Sequence, residues 1–309
     1  MGFSARAAVA RRVTSVACAV TLLAGGAVAC GKGSVGDSAN EDRPPVTPAA
    51  AVAKAARNSE DIASLRYRIT GTVPATGRLA AEASMSTEPP AMSMRMTTTG
   101  QGGDRRLEVR FLEEVMYVGV SPIDSEKLDG KRWIRADQAA WGREAIDNNS
   151  YRVLPTQLEV NPAVQSTLLT GSKDLRKTGT ETINGTHTTH YRGTVTSSGL
   201  RAARDAAADR ATRERQIASF DQFMALRLDG TLTMDLWIDN DNHTKQFRLR
   251  GDTYATRGGS EGDPLAFTDG DPLDMTVTFL EVNQPVTVKA PPSEDTADDA
   301  ALEDLAPAG

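Results

Sequence analysis

The sequence predicts an α+β domain built as an open antiparallel β half-barrel, with helices covering its concave face. About eight or nine runs between Ser64 and Val282 alternate apolar with polar residues, and turn residues separate these runs. A few other segments have the composition and spacing of helices. Because successive residues of a strand point to opposite faces, the alternation predicts a sheet with one apolar face and one charged face.

The N-terminus has the pattern of an export signal that ends at a cysteine. Residues 1–29 contain three arginines, no acid, an apolar stretch and small residues directly before Cys30. This pattern looks like a bacterial lipobox, and it predicts a signal peptide over 1–29 and a diacylglyceryl anchor on Cys30. Residues 30–46 are then the lipidated cysteine and a flexible tether that spans roughly 20 Å. The alternative is cleavage after Ala27-Val28-Ala29, which would leave Cys30 unmodified.

The folded domain is expected over residues 47–290. Thr47 and Pro48 form an N-cap and first-turn pair that opens an alanine-rich helix. The period then changes to two, as in "SLRYRIT" and "RRLEVRFLE". The run "EVMYVGV" is apolar on both faces and is expected to be more buried than the others. Asn184-Gly185 between two alternating runs predicts a β-hairpin.

Two further helices are predicted in the second half of the domain. One begins at an Asn161-Pro162 cap and ends at Gly171. The other covers residues 199–226, and three apolar residues lie on one side of its second half. These residues are Ile217, Phe220 and Met224. We expect this helix to lie on the surface and to pack against the domain through that apolar side.

The predicted helices are too few to cover the apolar face of so many strands. Large exposed apolar faces are rare in soluble monomers unless they are functional, so we expect a hydrophobic cavity that holds acyl chains. Methionines at alternate positions of "AMSMRMT" would give the cavity adaptable walls. The alternative is that each of these residues belongs to an ordinary core. The candidate cavity residues are Leu65, Tyr67, Ile69, Met92, Met94, Met96, Leu107, Val109, Phe111, Met234, Leu236, Met275 and Val277.

Four motifs, in order along the chain, resemble the actinobacterial LppX–LprAFG lipoprotein family, whose fold is related to the LolA and LolB carriers. The motifs are "VMYVGV", "DGKRWIRAD", "INGTHTTHYRGTV" and "LTMDLWIDNDN", within a resemblance that covers roughly residues 47–290. The resemblance implies an open half-barrel with lipid or glycolipid cargo, which moves or presents lipid at the outer face of the plasma membrane. On this basis we expect a monomer, with a membrane transporter as a candidate partner.

Charge and motif content exclude several other classes of function. The net charge is −6, and since residues 1–29 hold three arginines and no acid, the remainder carries −9, which argues against nucleic acid. Residues 291–309 hold six acids and no base, which predicts a disordered acidic tail. His187 and His190 are three residues apart in a predicted strand and point to opposite faces, so they cannot chelate together. The "DNDN" of residues 239–242 lacks the glycine and the distal glutamate of an EF-hand calcium loop.

The sequence contains none of the common catalytic or nucleotide-binding signatures that we considered. We therefore expect no enzymatic activity, no cofactor and no metal. The second hypothesis for the function is a non-catalytic interaction or sensory lipoprotein, with a filled core and a protein partner.

Overall fold

The computed structural model describes residues 46–74, 77–100, 103–136, 146–147, 150–151, 161–257 and 266–298. Its helices are α1 (Pro48–Asn58), α2 (Pro122–Lys127), α3 (Pro162–Thr170), α4 (Ser197–Asp205) and α5 (Arg210–Ala225). The strands of the first half are β1 (Ser64–Val73), β2 (Gly77–Thr87), β3 (Pro90–Gly100), β4 (Gly103–Leu112), β5 (Val115–Gly119), β6 (Trp133–Ala136), β7 (Ile146–Asp147) and β8 (Ser150–Tyr151). Those of the second half are β9 (Arg176–Ile183), β10 (Thr186–Thr196), β11 (Thr231–Asp239), β12 (Thr244–Gly251), β13 (Tyr254–Arg257), β14 (Ala266–Asp269), β15 (Leu273–Val282) and β16 (Thr296–Ala297).

Twelve of these strands form one open sheet in the order β16-β6-β5-β4-β3-β2-β1-β15-β12-β11-β10-β9. The pairs are antiparallel except β16 with β6, which is parallel. Strands β1 and β15 are distant in sequence, and their pairing joins the two halves of the chain into one surface. The predicted fold class, an open antiparallel sheet with helices, is confirmed.

Local signals in the sequence set several of these elements. The Thr47 side chain accepts a hydrogen bond from the Ala50 backbone N–H at 3.2 Å, which caps α1. Asn161 caps α3 in the same way, through the Ala163 N–H at 2.9 Å. Asn184 and Gly185 both have positive φ, 45° and 79°, as a type I′ hairpin between β9 and β10 requires. The predicted helix starts and the predicted hairpin are confirmed.

Helix α3 is the centre of the layer that covers one face of the sheet. It packs against β10 and β12 on one side and against α1 and α5 on the others. Eight of its nine residues are buried, and Leu168 and Leu169 are completely enclosed. Among the described residues, no helix combines the length and the apolar composition needed to cross a bilayer.

The single helix predicted over 199–226 is two helices, α4 and α5. Asp209 begins the second by accepting the Thr212 N–H at 2.8 Å, and this cap interrupts the helical path. Of the three residues predicted to pack against the domain, Phe220 contacts the central core cluster. The prediction is wrong for the other two, because Ile217 and Met224 are exposed while Phe223 is buried. The alanines and charges of this segment give weak periodicity, so the packing of α5 on α3 chooses its inward side.

The acidic tail was predicted to be disordered from Pro291, whereas its first residues are part of the fold. Ser293–Asp295 form a 3₁₀ turn, and Thr296–Ala297 form β16 at the edge of the sheet. Ala297 packs with Leu128 and Ile134 in a small buried cluster. Composition missed this segment because a strand of two residues is held by its neighbour rather than by its own propensity. Residues 299–309 lie outside the described residues.

Candidate functional site

The apolar face of the sheet has a central part that is sealed by helices. Eight candidate cavity residues belong to this part and are buried in one cluster. They are Leu65, Tyr67, Ile69, Met94, Met234, Leu236, Met275 and Val277. The same cluster contains side chains of α1, α3 and α5, namely Val52, Ala55, Leu168, Leu169 and Phe223. The helices therefore fill the space over the middle of the sheet with ordinary core packing.

A second apolar area lies on β2, β3, β4 and β5, toward the other edge. Met92, Val109 and Phe111 form its buried centre, and Met85, Leu107 and Met116 pack against them while remaining half-buried. The register places Met85 opposite Met92, Met92 opposite Phe111, and Phe111 opposite Met116. One line of large flexible side chains thus crosses four strands on one face.

We call this area the methionine wing and define it as Met85, Met92, Met96, Leu107, Val109, Phe111 and Met116. Met96 pairs with Leu107 and is half-buried beside the central cluster. The chain has nine methionines, and four of them lie in the wing.

The wing differs from the central part in its covering layer. Within the described residues, the extensive helix contacts on the sheet are those of α3 with β10 and β12 and of α4 with β10. All five residues of β5 are half-buried, although its two apolar faces predicted deeper burial. That prediction is wrong because the depth of a strand depends on what packs on it, and the described helices sit over the other half of the sheet.

The sequence prediction named five of the seven wing residues and missed Met85 and Met116, which lie at the two ends of the line. Met85 follows Leu79, Ala81 and Ala83 on the same face of β2, so the period of two was present there. Met116 was hidden because β5 is apolar at every position. Whether the wing encloses a cavity remains a prediction, and Cys30 lies outside the described residues.

Two open grooves, of about 470 and 390 Å³, lie on the strands of β1, β2, β3 and β15. They are lined largely by polar and charged residues of the outward face, including Thr70, Arg78, Thr97 and Asp274. No methionine of the wing borders either groove, and Tyr67 is the one candidate cavity residue that does. These grooves are therefore separate from the apolar face.

The outward face also carries a compact ionic network centred on Asp235 of β11. Its carboxylate oxygens lie 2.6 Å from Arg192 Nε, 2.7 Å from Arg250 Nη2 and 2.6 Å from His190 Nε2. The other ring nitrogen of His190 lies 2.8 Å from Glu181 Oε1. Burial raises the pKa of Asp235, but the hydrogen bonds from Arg192, His190 and Arg250 outweigh it and hold that pKa below its ordinary value.

The carboxylate at the centre of this network is enclosed and contacted by three nitrogen atoms, although Arg250 Nε and Trp237 Nε1 beside it have no hydrogen-bond partner among the described residues. Asp235 is 1% exposed, and the His190 ring stacks on Trp237 with 4.3 Å between ring centroids. A carboxylate whose oxygens are already occupied by three donors has little capacity left to bind a substrate or ion. The arrangement therefore serves to hold β10, β11 and β12 together.

The turn between β11 and β12 brings three potential metal ligands together. One ligand atom each of Asp239, Asp241 and His243 lies within 4.8 Å of the others. Asp239 Oδ1 also accepts the backbone N–H of Asp241 at 3.0 Å and of His243 at 2.8 Å, so the carboxylate shapes the turn. The expectation of no bound metal stays a prediction.

Comparisons with known proteins give one curated relative. No protein-family model matches the chain. An uncharacterised 31.2 kDa protein of Streptomyces griseus, encoded in the rplA–rplJ intergenic region, is 27% identical over 201 residues. The matched part is 64% of this chain and 58% of the relative, so the chain spans little more than half the length of that protein.

Solved structures with a similar fold include two mycobacterial proteins. LprF from Mycobacterium bovis is 12% identical, with 79% of this chain and 96% of that chain covered and a TM-score of 0.44. The Mycobacterium tuberculosis lipoprotein LppX is 14% identical, with 78% and 98% covered and a TM-score of 0.41. Both names belong to the LppX–LprAFG group that the four sequence motifs resemble.

Proposed function

We propose that this protein is a membrane-anchored, non-catalytic lipoprotein that binds lipid acyl chains against the methionine wing. In this proposal a diacylglyceryl group on Cys30 holds the domain at the outer face of the plasma membrane. The domain carries or presents lipid or glycolipid there as a monomer, with a membrane transporter as a candidate partner.

The observation that carries the proposal is the half-buried state of large apolar side chains on the wing. Met85, Met96, Leu107 and Met116 remain partly open to solvent on the same face where the central core is completely packed. Leaving such side chains in water costs free energy that a bound acyl chain would recover. Contiguous apolar surface of this kind is typical of binding sites in soluble domains.

The chemistry of the wing suits a cargo of variable shape. Methionine side chains are unbranched and have three rotatable bonds, so they adapt to chains of different length and curvature. Each methylene that leaves water contributes about 0.8 kcal/mol, and the wing needs no polar group to obtain it. Selectivity would then come from the length of the acyl chain more than from its head group.

Two charges placed on the wing should empty it. We expect the full chain with Cys30→Ser, the parent protein of this test, to co-purify with acyl lipid. Adding Met96→Glu and Met116→Glu to this parent should lower the bound lipid by about tenfold or more, because a charge cannot enter an apolar contact without a large desolvation cost. The measurement is mass spectrometry of the native protein and of its extracted lipids.

The matched control is Thr97→Glu with Tyr117→Glu, which adds the same charges at the next positions of β3 and β5, on the outward face. Its lipid load should equal that of the parent. Equal loads in both double variants, with thermal melting showing that both are folded, would contradict binding on the wing. A parent that is free of lipid and refuses added fluorescent lipid would contradict carriage altogether.

The anchor has its own test. In a host that processes bacterial lipoproteins, the parent should incorporate an alkyne-labelled fatty acid and fractionate with membranes, since two acyl chains hold a protein stably on a bilayer. Cys30→Ser should lose both properties, while Cys18→Ser, in the same predicted signal region, should keep them. Labelling that survives Cys30→Ser would place the lipid elsewhere.

The completely packed central core favours the second candidate, a tethered protein that acts through its surface. Met234, Leu236 and Met275 have no exposed area, as expected if the middle of the sheet is ordinary core. This function predicts a lipid-free protein whose binding to a partner survives the two glutamates on the wing. The lipid measurement above separates the two candidates.

A further inference from the structure

Helix α5 is rotated about its axis so that several polar side chains face the protein interior, unlike in a usual surface helix. It turns several polar side chains inward, where Gln216 Nε2 donates to Thr170 Oγ1 at 2.7 Å and the Ser219 hydroxyl donates to the Val164 carbonyl at 2.7 Å. Its inward apolar contribution comes from Phe223, which is buried in the central core cluster, and from Phe220, which packs against the edge of that cluster. A surface helix ordinarily does the reverse and buries its apolar side.

The outward side of α5 carries two exposed apolar residues, Ile217 and Met224, and Phe220 lies between them with its ring packed against the central core cluster. We call these three residues the apolar stripe. Spacings of three and four residues place them on one face over two turns. Ile217 is 44% exposed and Met224 is 48% exposed, while Phe220 between them is half-buried. Single exposed apolar residues are common on proteins, but a continuous stripe on an otherwise polar helix calls for a partner.

Arginines without carboxylate partners flank the stripe. Arg213 lies one turn before Ile217 on the same face, Arg227 follows the end of α5, and the Arg201 guanidinium lies 5.4 Å from the centroid of the Phe220 ring. In the described part of the chain, none of these three has a carboxylate within salt-bridge distance. Over residues 197–227, six arginines and four acids give a net charge of +2 in an otherwise acidic protein. One of the acids, Asp221, is exposed on the same face between Ile217 and Met224, so the positive charge lies beside the stripe and not within it.

We propose that the outward face of α5 is a docking surface for an anionic lipid bilayer. Apolar side chains on one helix face, flanked by cations, allow a helix to lie in the interface with the chains inserted among acyl groups and the cations at the phosphates. Helix α5 has 16 residues and is about 24 Å long, enough to rest along the surface. This surface extends the proposed function, in which the tether at Cys30 keeps the domain near the bilayer.

The test is sedimentation of the full chain, carrying Cys30→Ser, with vesicles of equal parts phosphatidylglycerol and phosphatidylcholine. Ile217→Ser with Met224→Ser should lower the partition coefficient by about tenfold relative to the parent. Arg201→Gln with Arg213→Gln should lower it by about fivefold per arginine, with little change on pure phosphatidylcholine. All variants share the same N-terminal region, so vesicle binding that this region causes by itself is a constant background, which is subtracted before the ratios are taken.

Matched controls exist elsewhere on the surface. Ile123 of α2 is 73% exposed, and Ile123→Ser should leave vesicle binding unchanged. Arg105→Gln with Arg106→Gln removes two exposed charges from β4 and should have a smaller effect than the pair near the stripe. Stripe variants that bind like these controls, or parent binding that ignores phosphatidylglycerol, would overturn the proposal. It is equally overturned if the stripe variants abolish self-association while vesicle binding stays.

Failure of this inference can be told from failure of the proposed function. The stripe variants should retain their co-purified acyl lipid, because the stripe and the wing are on different elements. The variant with Met96→Glu and Met116→Glu should lose that lipid and still sediment with anionic vesicles.

Discussion

Replacement of Asp235 by alanine should lower the free energy of unfolding by about 3 kcal/mol. Removing one partner of a buried ionic contact typically costs about 3–5 kcal/mol, because the remaining charges keep their desolvation cost without their counter-charge. Arg192 and Arg250 would both be left in that state, and His190 Nε2 would lose its hydrogen-bond partner. We expect the lower end of the range, since about a third of each arginine side chain still reaches solvent. Urea unfolding followed by circular dichroism measures the change.

The matched control is Asp274→Ala on the same face of the sheet. Arg248 contacts Asp274 through two hydrogen bonds of 2.7 Å, which is better geometry than any single contact of Asp235. Both side chains are about 40% exposed, however, so water replaces much of the lost interaction. We expect a loss of about 1 kcal/mol or less. Equal losses for the two variants would show that burial of Asp235 does not decide its importance.

The same residue predicts a dependence of stability on pH. In the folded protein the pKa of Asp235 lies below its ordinary value, because the hydrogen bonds from Arg192, His190 and Arg250 outweigh the opposing effect of burial. An aspartate with a depressed pKa contributes its full stability above the unfolded-state pKa of about 3.9 and loses it as the pH falls through the folded-state value. The stability difference between the parent and Asp235→Ala should therefore be constant near neutral pH and shrink below about pH 4.

Gly71→Ala should destabilise the fold by about 3 kcal/mol or more, for a steric reason. Gly71 of β1 has φ of +142°, and an added Cβ would lie 2.0 Å from the Asp274 carbonyl oxygen and 2.8 Å from the Met275 Cα. Both atoms belong to the backbone of β15, so relief requires the two strands to separate. This pairing joins the first half of the sheet to the second, and its loss affects the whole domain. Thermal unfolding of the two proteins provides the comparison.

Gly130→Ala is the control for backbone conformation alone. Gly130 has φ of +82°, and an added Cβ would meet no atom within 4 Å. Alanine there should cost only the conformational penalty, about 1 kcal/mol. If Gly71→Ala costs no more than Gly130→Ala, strands β1 and β15 can adjust without loss.

Much of the fold was predictable because its signals are local. Thr47, Asn161 and Asn184-Gly185 act on backbone groups within three residues of themselves, so their effect can be inferred without tertiary contacts. Alternation likewise predicted which face of a strand each residue occupies, and Met92, Met94 and Met96 lie on one face of β3. Charge composition failed at Thr296–Ala297, where pairing with β6 orders a segment that composition alone would leave disordered.

The candidate site was predictable only in part, because it depends on contacts between strands and not only on local signals. Alternation identified apolar residues of β3 and β4, but the line from Met85 to Met116 depends on the register of four strands, and no one strand encodes it. Similarly, the face of α5 that meets α3 could not be inferred, because that helix has apolar residues on two sides.

The amino-acid sequence alone established amounts: how much alternating apolar sequence the chain has for a sheet, and how acidic its body is. The tertiary structure determined where the helices and the apolar residues lie. Helices α1, α3 and α5 gather over the centre of the sheet, which leaves the methionine wing half-buried and turns Ile217 and Met224 outward. The physical reason is that amounts follow from side-chain chemistry, which is local, while placement follows from packing between segments distant along the chain.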